Sequence, residues 1–171
     1  MTAPLQAWLD GRLVPADACT IAADDPGFLW GDGVFETMLI RDGRPVALDL
    51  HLARLAASLD ALDLPRPPFD LAAAVTSLAH TAPAAEHVLR LTVTARPTVL
   101  AQLRPLGERG LLRRQGLDLW TLDEVRGDTR LARHKSMAYA AQRVAARLHP
   151  AGRSPTFEGL WLDAAGFALE G

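Results

Sequence analysis

The one lysine of the chain, Lys135, lies in a cluster of basic residues. Arg133 and His134 precede it directly, and Arg130 is close by. Neighbouring positive charge disfavours the ammonium form of a lysine, and an uncharged amine is a nucleophile. Arginine cannot take this role because its guanidinium stays protonated. Lys135 is therefore the candidate for covalent chemistry through an amine, with a solvated basic stretch as the alternative interpretation.

Two further residues, Tyr139 and Glu170, are candidates for the same site. Residues 136–148 are predicted to form a helix, and Tyr139 follows Lys135 by four positions, so on a helix the two side chains share one face. A tyrosine at a helix boundary is the alternative. Glu170 follows the apolar residues 167–169 at the end of a predicted strand, where a carboxylate could face a pocket or lie at the surface.

A glycine-rich segment with two aromatic residues precedes a predicted strand. Residues 27–33 contain three glycines together with Phe28 and Trp30. Gly31 and Gly33 allow backbone angles that other residues resist. This composition favours a loop that holds an aromatic side chain over a pocket.

A predicted helix over residues 49–63 has one apolar face. Leucines recur at positions 52, 55, 59 and 62, a spacing that is typical of an amphipathic helix. Asp49 is the predicted N-cap, and the helix is expected to end before Pro65. Arg54 lies beside the leucine stripe, where a surface charge is the default interpretation.

The elements predict an α+β protein with two domains. Asp-Gly turns at residues 10–11 and 42–43 each join two short segments, as in β-hairpins. A second helix is predicted over 71–80 and a strand over 87–94. Residues 97–116 are rich in proline and glycine and show no clear period, so they are the expected interdomain segment.

The second domain is expected to begin with a strand at residues 117–122. After the helix comes a loop at 149–155 and a hairpin that pairs 158–162 with 167–170. The predicted division is residues 1–107 for the first domain, 108–116 for the linker and 117–171 for the second domain. A second domain of about 55 residues is near the size at which a core becomes marginal, so we expect it to be incomplete.

The composition is that of an ordinary globular protein. Hydrophobic residues make up 49% of the chain and charged residues 22%, and the net charge of −2 gives no reason to expect nucleic acid or an anionic membrane as a partner. With one cysteine, Cys19, no internal disulfide can form. No signal peptide or membrane-spanning stretch is recognised. These features predict a cytoplasmic protein, and no metal site is expected.

Four motifs together resemble those of the class IV aminotransferases. Residues 28–37 resemble the N-terminal signature of that family. Residues 51–55 resemble the next motif of the family, at the expected distance. His134-Lys135-Ser136 with Tyr139 resembles the motif around the cofactor lysine, and residues 160–171 resemble the hairpin that ends in a cofactor-binding glutamate. Each motif is weak alone, whereas four in the right order are a strong signal.

The resemblance implies a two-domain protein of fold type IV that binds pyridoxal 5′-phosphate (PLP) between its domains. It implies that Lys135 forms the Schiff base and moves the proton, and that Arg54 binds the cofactor phosphate through its guanidinium fork. Glu170 would keep the pyridine nitrogen protonated, so that the ring accepts electrons. Tyr139 would line the pocket near the ring oxygen, and Trp30 would lie near the substrate.

The substrate is not defined by the resemblance. Many relatives carry an arginine-glycine loop after the strand at 87–94, whereas this chain has residues 94–98, Thr-Ala-Arg-Pro-Thr. Arg90 and Arg96 are both candidates for binding a substrate carboxylate. A plain surface role is the alternative for each.

The resemblance implies an amino-acid transaminase that acts on an amino acid and a 2-oxo acid, and it implies a homodimer. Aminodeoxychorismate lyase, which releases pyruvate with the same lysine, is an alternative. Family members usually continue beyond the glutamate-glycine pair by about 100 residues, an estimate that agrees with the small second domain. A second alternative is therefore that these 171 residues are a non-catalytic part of such an enzyme.

Overall fold

The structure is a computed structural model that describes residues 5–83, 85–107, 116, 118–125, 130–147 and 157–170. The chain forms two units. The first comprises Met1–Leu106 with His134–Ala138, and the second comprises Gly107–Arg133 with Tyr139–Gly171. The domain division of the sequence analysis stays a prediction. Residues 108–115 of the predicted linker lie outside the described residues.

A six-stranded antiparallel sheet forms the centre of the first unit. Its order is β2-β1-β6-β5-β3-β4. The two hairpins predicted from the Asp-Gly turns are present as β1–β2 and β3–β4. The strands are β1 (Gln6–Leu9), β2 (Arg12–Pro15), β3 (Gly33–Arg41), β4 (Arg44–Pro45), β5 (His87–Thr94) and β6 (Val99–Pro105).

Two helices cover one face of this sheet, α2 (Leu48–Ala61) and α3 (Leu71–Ala79), and a short helix, α1 (Pro26–Trp30), precedes β3. Alternate residues of the strands point toward the helices, as the two-residue period of a strand requires. They build a core with the helical side chains of Leu55, Leu59 and Leu78. The predicted leucine stripe of α2 is confirmed, with positions 55 and 59 buried and positions 52 and 62 partly buried against the core.

The predicted N-cap of α2 is wrong. The strand β4 ends at Pro45, earlier than expected, and the helix begins at Leu48 after Ala47, which adopts a left-handed conformation with φ 54°. Among the described residues, no side chain makes a capping hydrogen bond at this end. Asp49 lies instead in the first turn, where its negative charge is favourable beside the helix N-terminus.

The strand β6 lies inside the segment that was expected to connect the domains. Its residues alternate between buried and more exposed, with Val99, Ala101 and Leu103 buried. It pairs with both β5 and β1. The alternation was hidden by Pro97 and Pro105, which mark turns but here lie at the boundaries of a strand.

The second unit contains a three-stranded sheet of order β7-β8-β9 and the helix α4 (Ala140–Arg147). Strand β7 (Asp118–Val125) is parallel to β8 (Phe157–Leu162), which pairs antiparallel with β9 (Ala168–Glu170). The predicted C-terminal hairpin is therefore confirmed. The Asp163 carboxylate closes its turn by accepting hydrogen bonds from the backbone N–H groups of Ala165 and Phe167.

The predicted helix over residues 136–148 begins later than expected. Ser136 forms a bridge with Val34 of β3, and the helix starts at Ala140. Residues 148–156, which include the predicted loop, lie outside the described part of the chain. Within the described residues, no helix has both the length and the apolar character needed to cross a membrane.

Candidate active site

The segment that carries Lys135 is fixed against the first half of β3. The backbone N–H of Phe35 donates to the carbonyl of Lys135 at 2.8 Å, and the N–H of Met137 donates to the carbonyl of Gly33 at 2.8 Å. Between these two bonds, Ser136 is buried. Residues 134–138 therefore extend the sheet edge like a short additional strand, which sets the position of the lysine backbone.

Two glycines allow this close approach. A Cβ atom on Gly33 would lie 2.6 Å from the carbonyl oxygen of Val93 and 2.7 Å from the sulfur of Met137. Gly31 ends α1 in the left-handed conformation with φ 70°, and a Cβ there would lie 3.1 Å from the Cα of Ala138. The predicted conformational role of Gly31 is confirmed, and Gly33 is required by the lack of space.

The Lys135 side chain lies beside the ring of Phe35. Its Nζ is 5.1 Å from the ring centroid, and the guanidinium carbon of Arg90 is 3.6 Å from the same centroid. Both contacts have cation–π geometry. The prediction that Tyr139 and Lys135 share one helix face is wrong, because Lys135 precedes α4 and is not helical.

On the other face of the sheet, Glu36 joins β3 to α2. The Glu36 side chain is completely buried. Arg54 donates to it from Nε and from Nη2, both at 2.6 Å, and His51 Nδ1 lies 2.7 Å from Oε2. Arg54 is thus not an isolated surface charge, although its side chain is 55% exposed.

The charges in this cluster shift two pKa values. Burial acts to raise the pKa of Glu36, but the hydrogen bonds and positive charge from Arg54 and His51 outweigh it, so the pKa is lowered. The hydrogen bond to Glu36 raises the pKa of Arg54. Glu36 is therefore ionised in the folded protein at neutral pH.

Glu36 and His51 were not predicted from the sequence as functional residues. A signal for Glu36 was present, because it shares the alternation of Val34 and Met38, which face the core. A carboxylate at a core-facing position needs a positively charged partner. His51 lies three residues before Arg54, a spacing that places both on one side of a helix.

Trp30 lies at the end of α1 and is 73% exposed. The helix is capped by Asp25, whose Oδ1 accepts from the backbone N–H of Gly27 at 2.7 Å. Asp25 is itself buried and accepts from the hydroxyls of Thr94 and Thr98. A short helix is in this way fixed to the sheet while its aromatic residue remains exposed.

The two arginines proposed for the substrate differ in their surroundings. Arg90 lies on β5 against the ring of Phe35, in the same unit as Lys135. Arg96 follows β5 and forms an ion pair with Asp24, in which both side chains are substantially exposed. The structure thus brings Arg90 and Lys135 to one aromatic ring, whereas Arg96 makes a surface ion pair.

The remaining predicted residues belong to the second unit. Tyr139 immediately precedes α4, and its carbonyl accepts from the N–H of Arg143. Glu170 ends β9, opposite Trp161 of β8. Among the described residues, no group of three or more His, Cys, Asp or Glu side chains has the arrangement of a metal site.

The family model described as amino-transferase class IV matches residues 33–171, most of the chain. The chain belongs to the class IV aminotransferases. The family predicted from the four motifs is confirmed.

The relatives of this class IV aminotransferase chain include proteins with two kinds of activity. It is 32% identical over 181 residues to a bifunctional aminodeoxychorismate lyase / D-amino acid transaminase from Mycobacterium tuberculosis, a match that covers 95% of this chain and 62% of the relative. The chain therefore spans about three fifths of that relative's length.

Solved structures support the same fold. A hypothetical aminotransferase from M. tuberculosis in its PLP-bound form has a TM-score of 0.80 and 30% identity, with 96% of this chain and 65% of that chain covered. A fold IV transaminase from Curtobacterium pusillum has a TM-score of 0.77 and 29% identity, with the same shares covered. The α+β fold type IV prediction is confirmed by this likeness.

Proposed function

We propose that the protein is a PLP-dependent transaminase that transfers an amino group between an amino acid and a 2-oxo acid, with Lys135 as the residue that holds the cofactor. The observation that carries the proposal is the fixed position of the single lysine against β3. Membership of the class IV family supports it, and so does a structural relative in a PLP-bound form. The proposal concerns the complete protein, because this chain spans only part of its relatives.

The first unit supplies the two side-chain groups, an amine and a guanidinium, that a phosphate-bearing aldehyde would need. Lys135 supplies the only side-chain amine of the sequence. Arg54 has five N–H donors, and Glu36 takes two of them, on Nε and Nη2. Because its side chain is 55% exposed, the guanidinium can still bind an anion from solution. The phosphate is the natural ligand for that arginine in this proposal.

Each residue has a proposed task. The Lys135 Nζ would hold the cofactor aldehyde and would move a proton at the substrate's α carbon, while Arg54 would hold the phosphate. Glu170 is proposed to keep the pyridine nitrogen protonated, and Tyr139 to lie near the ring oxygen. When bound, the cofactor supplies an electron sink for the carbanion.

The proposed substrate contacts come from three residues. Arg90 and Arg96 are candidates for the substrate carboxylate, and Trp30 for contact with the substrate side chain. We favour Arg90 over Arg96, since Arg90 lies against the same ring as Lys135 and Arg96 is engaged with Asp24 at the surface.

Replacing Lys135 tests the proposal. In the complete protein, Lys135→Ala should abolish both the visible absorbance of bound PLP and turnover, because it removes the proposed Schiff-base amine, the one lysine of these 171 residues. Arg66→Ala, in an exposed ion pair with Asp60, is the control and should keep both properties. Unchanged colour and turnover in the Lys135→Ala enzyme would refute the proposal.

Aminodeoxychorismate lyase activity is the second candidate, because the M. tuberculosis relative is named for both activities. The two reactions differ in their need for an acceptor. A transaminase exchanges amino and oxo groups between two substrates, whereas the lyase releases pyruvate from aminodeoxychorismate alone. Pyruvate release without a 2-oxo acid would favour the lyase.

A further inference from the structure

Arg54 is bonded on one edge to a carboxylate that cannot move easily. Glu36 lies on β3 between β4 and β5 in the sheet order, and its side chain is completely buried. Its two oxygens accept from Arg54 Nε and Nη2 at 2.6 Å each, which is a bidentate pair. A bidentate pair fixes the plane of the guanidinium as well as its position.

This pairing leaves part of the guanidinium available. Glu36 takes the Nε hydrogen and one Nη2 hydrogen, so the two hydrogens of Nη1 and the second of Nη2 are not used by it. The second hydrogen of Nη2 and one hydrogen of Nη1 form the neighbouring edge of the guanidinium, and the other Nη1 hydrogen points to the Cδ side. An arginine can therefore bind the carboxylate and a phosphate at the same time, on two different edges.

We propose that Glu36 is a positioning residue for the cofactor phosphate, which fixes Arg54 so that its remaining edge is held ready for the anion. The inference rests on the proposed function, in which Arg54 binds the PLP phosphate. Fixing a long side chain before binding avoids an entropic cost that a mobile arginine would incur on binding.

His51 holds Glu36 from the same helix. Its Nδ1 lies 2.7 Å from Oε2, the oxygen that also accepts from Arg54 Nη2. The His51 side chain is 20% exposed, so it covers the carboxylate from solvent. The three contacts from these two residues of α2 leave the carboxylate with one arrangement rather than several.

The exposed pair of Arg66 and Asp60 shows what distinguishes Glu36. It is also bidentate, but both side chains are about three fifths exposed, at 62% and 59%. An exposed carboxylate on a helix surface moves with its own side chain and cannot orient a guanidinium firmly. Asp60→Asn is therefore a matched control for Glu36→Gln.

The test measures how strongly the complete apoprotein prefers PLP over pyridoxal, which lacks the phosphate. Both dissociation constants are obtained by absorbance titration. The constant for pyridoxal divided by the constant for PLP gives the preference for PLP, and this ratio reports the phosphate contact alone. We expect Arg54→Ala to lower the preference for PLP most. Glu36→Gln should lower it about tenfold, equivalent to about 1.4 kcal/mol, and Asp60→Asn should leave it unchanged.

The double variant separates positioning from general damage. If Glu36 acts through Arg54, adding Glu36→Gln to Arg54→Ala should not lower the preference further. A purely structural role would weaken PLP and pyridoxal equally and leave their ratio unchanged, which would overturn the inference. A Glu36→Gln protein with an increased preference for PLP would also overturn it, because the carboxylate would then compete with the phosphate.

Failure of the proposed function gives a different result. If Arg54→Ala itself leaves the ratio unchanged, Arg54 does not bind the phosphate, and the inference about Glu36 falls with it. If Arg54→Ala lowers the ratio and Glu36→Gln does not, only the inference is wrong. Should Glu36→Gln fail to fold, Glu36→Asp keeps the charge, withdraws the carboxylate by one methylene, and should also lower the ratio.

Discussion

The Glu36 side chain is completely buried and also negatively charged. The residues around it explain how a buried carboxylate can stay ionised. Arg54 and His51 together supply three short contacts to its two oxygens. Because these contacts outweigh the effect of burial, the pKa of the carboxyl is lowered and it stays ionised. At this scale the candidate phosphate site and a stabilising contact of the fold are the same group of atoms.

The lowered pKa of Glu36 predicts how stability depends on pH. The unfolded chain binds a proton near the ordinary value of 4.5, and the folded chain binds it at lower pH. The stabilisation is therefore fully present above about pH 5 and is lost as the pH falls through the folded pKa. Urea unfolding of wild type and Glu36→Gln should show a stability difference that shrinks below pH 4.5.

Asp60→Asn is again the control for this measurement. Its carboxylate is in an exposed pair with Arg66, so its replacement should change the free energy of unfolding little at any pH. Wild type and Glu36→Gln curves that run parallel from pH 7 to pH 3 would contradict the assignment of a lowered pKa to Glu36.

Among the elements, β3 has the central role. One face packs against α2 through Glu36 and the core residues, the other presents Phe35 to Arg90 and Lys135, and its first half bonds to residues 134–138. A strand can do this because successive side chains point to opposite faces while its backbone pairs at the edge. The arginine and the lysine of the proposed site are thus positioned from one strand.

The bond between Met137 and Gly33 can be removed without removing a side chain of the proposed site. Met137→Pro loses the N–H that donates to the buried Gly33 carbonyl, whereas Met137→Ala keeps it. An unsatisfied buried carbonyl costs about 1–3 kcal/mol. We expect Met137→Pro to detach the lysine segment, seen as faster hydrogen exchange at the Phe35 amide, which donates to Lys135.

Met137→Ala should leave that exchange rate close to that of the wild type. Its Cβ and backbone N–H are those of the native residue, and it shortens only a side chain that is partly buried. If the Phe35 amide stays equally protected in the proline variant, the segment is not held by the β3 edge, and the structural argument for Lys135 loses its support.

Local pattern predicted most of these elements, and the exceptions share a cause. The hairpins, the leucine stripe of α2 and the strand β5 follow from short-range spacing, which the sequence displays directly. Ser136 was assigned to a helix because its partner, Val34, is about one hundred positions away in the sequence. The Glu36–Arg54 pair was missed for the same reason, since only the packing of α2 on β3 brings the two together.

At the scale of the whole molecule, the chain covers 62% of a curated relative and 65% of a PLP-bound structural relative. That match shows the family and the fold. Activity, substrate and assembly belong to the proposals for the complete protein. The motifs predicted the family because each is a short run of residues with a defined chemical role. The substrate depends on residues that are spread over several segments, so no single motif predicts it.

We propose that the complete protein is a homodimer. The resemblance to the family supports this, and α1 exposes Phe28 and Trp30 to 70% and 73%, which is large for aromatic side chains on a monomer surface. Sedimentation velocity should give the mass of two chains. A single-chain mass maintained at high protein concentration would contradict the proposal.

The most direct test of the central claim is chemical trapping of the cofactor on the protein. The complete enzyme is loaded with PLP, reduced with borohydride, digested and mapped by mass spectrometry. Reduction makes the link to an amine permanent, and Lys135 is the only lysine in these 171 residues. We expect a phosphopyridoxyl group on Lys135 and none on a Lys135→Ala protein treated in the same way. A label elsewhere in the wild type, or no label at all, would contradict it.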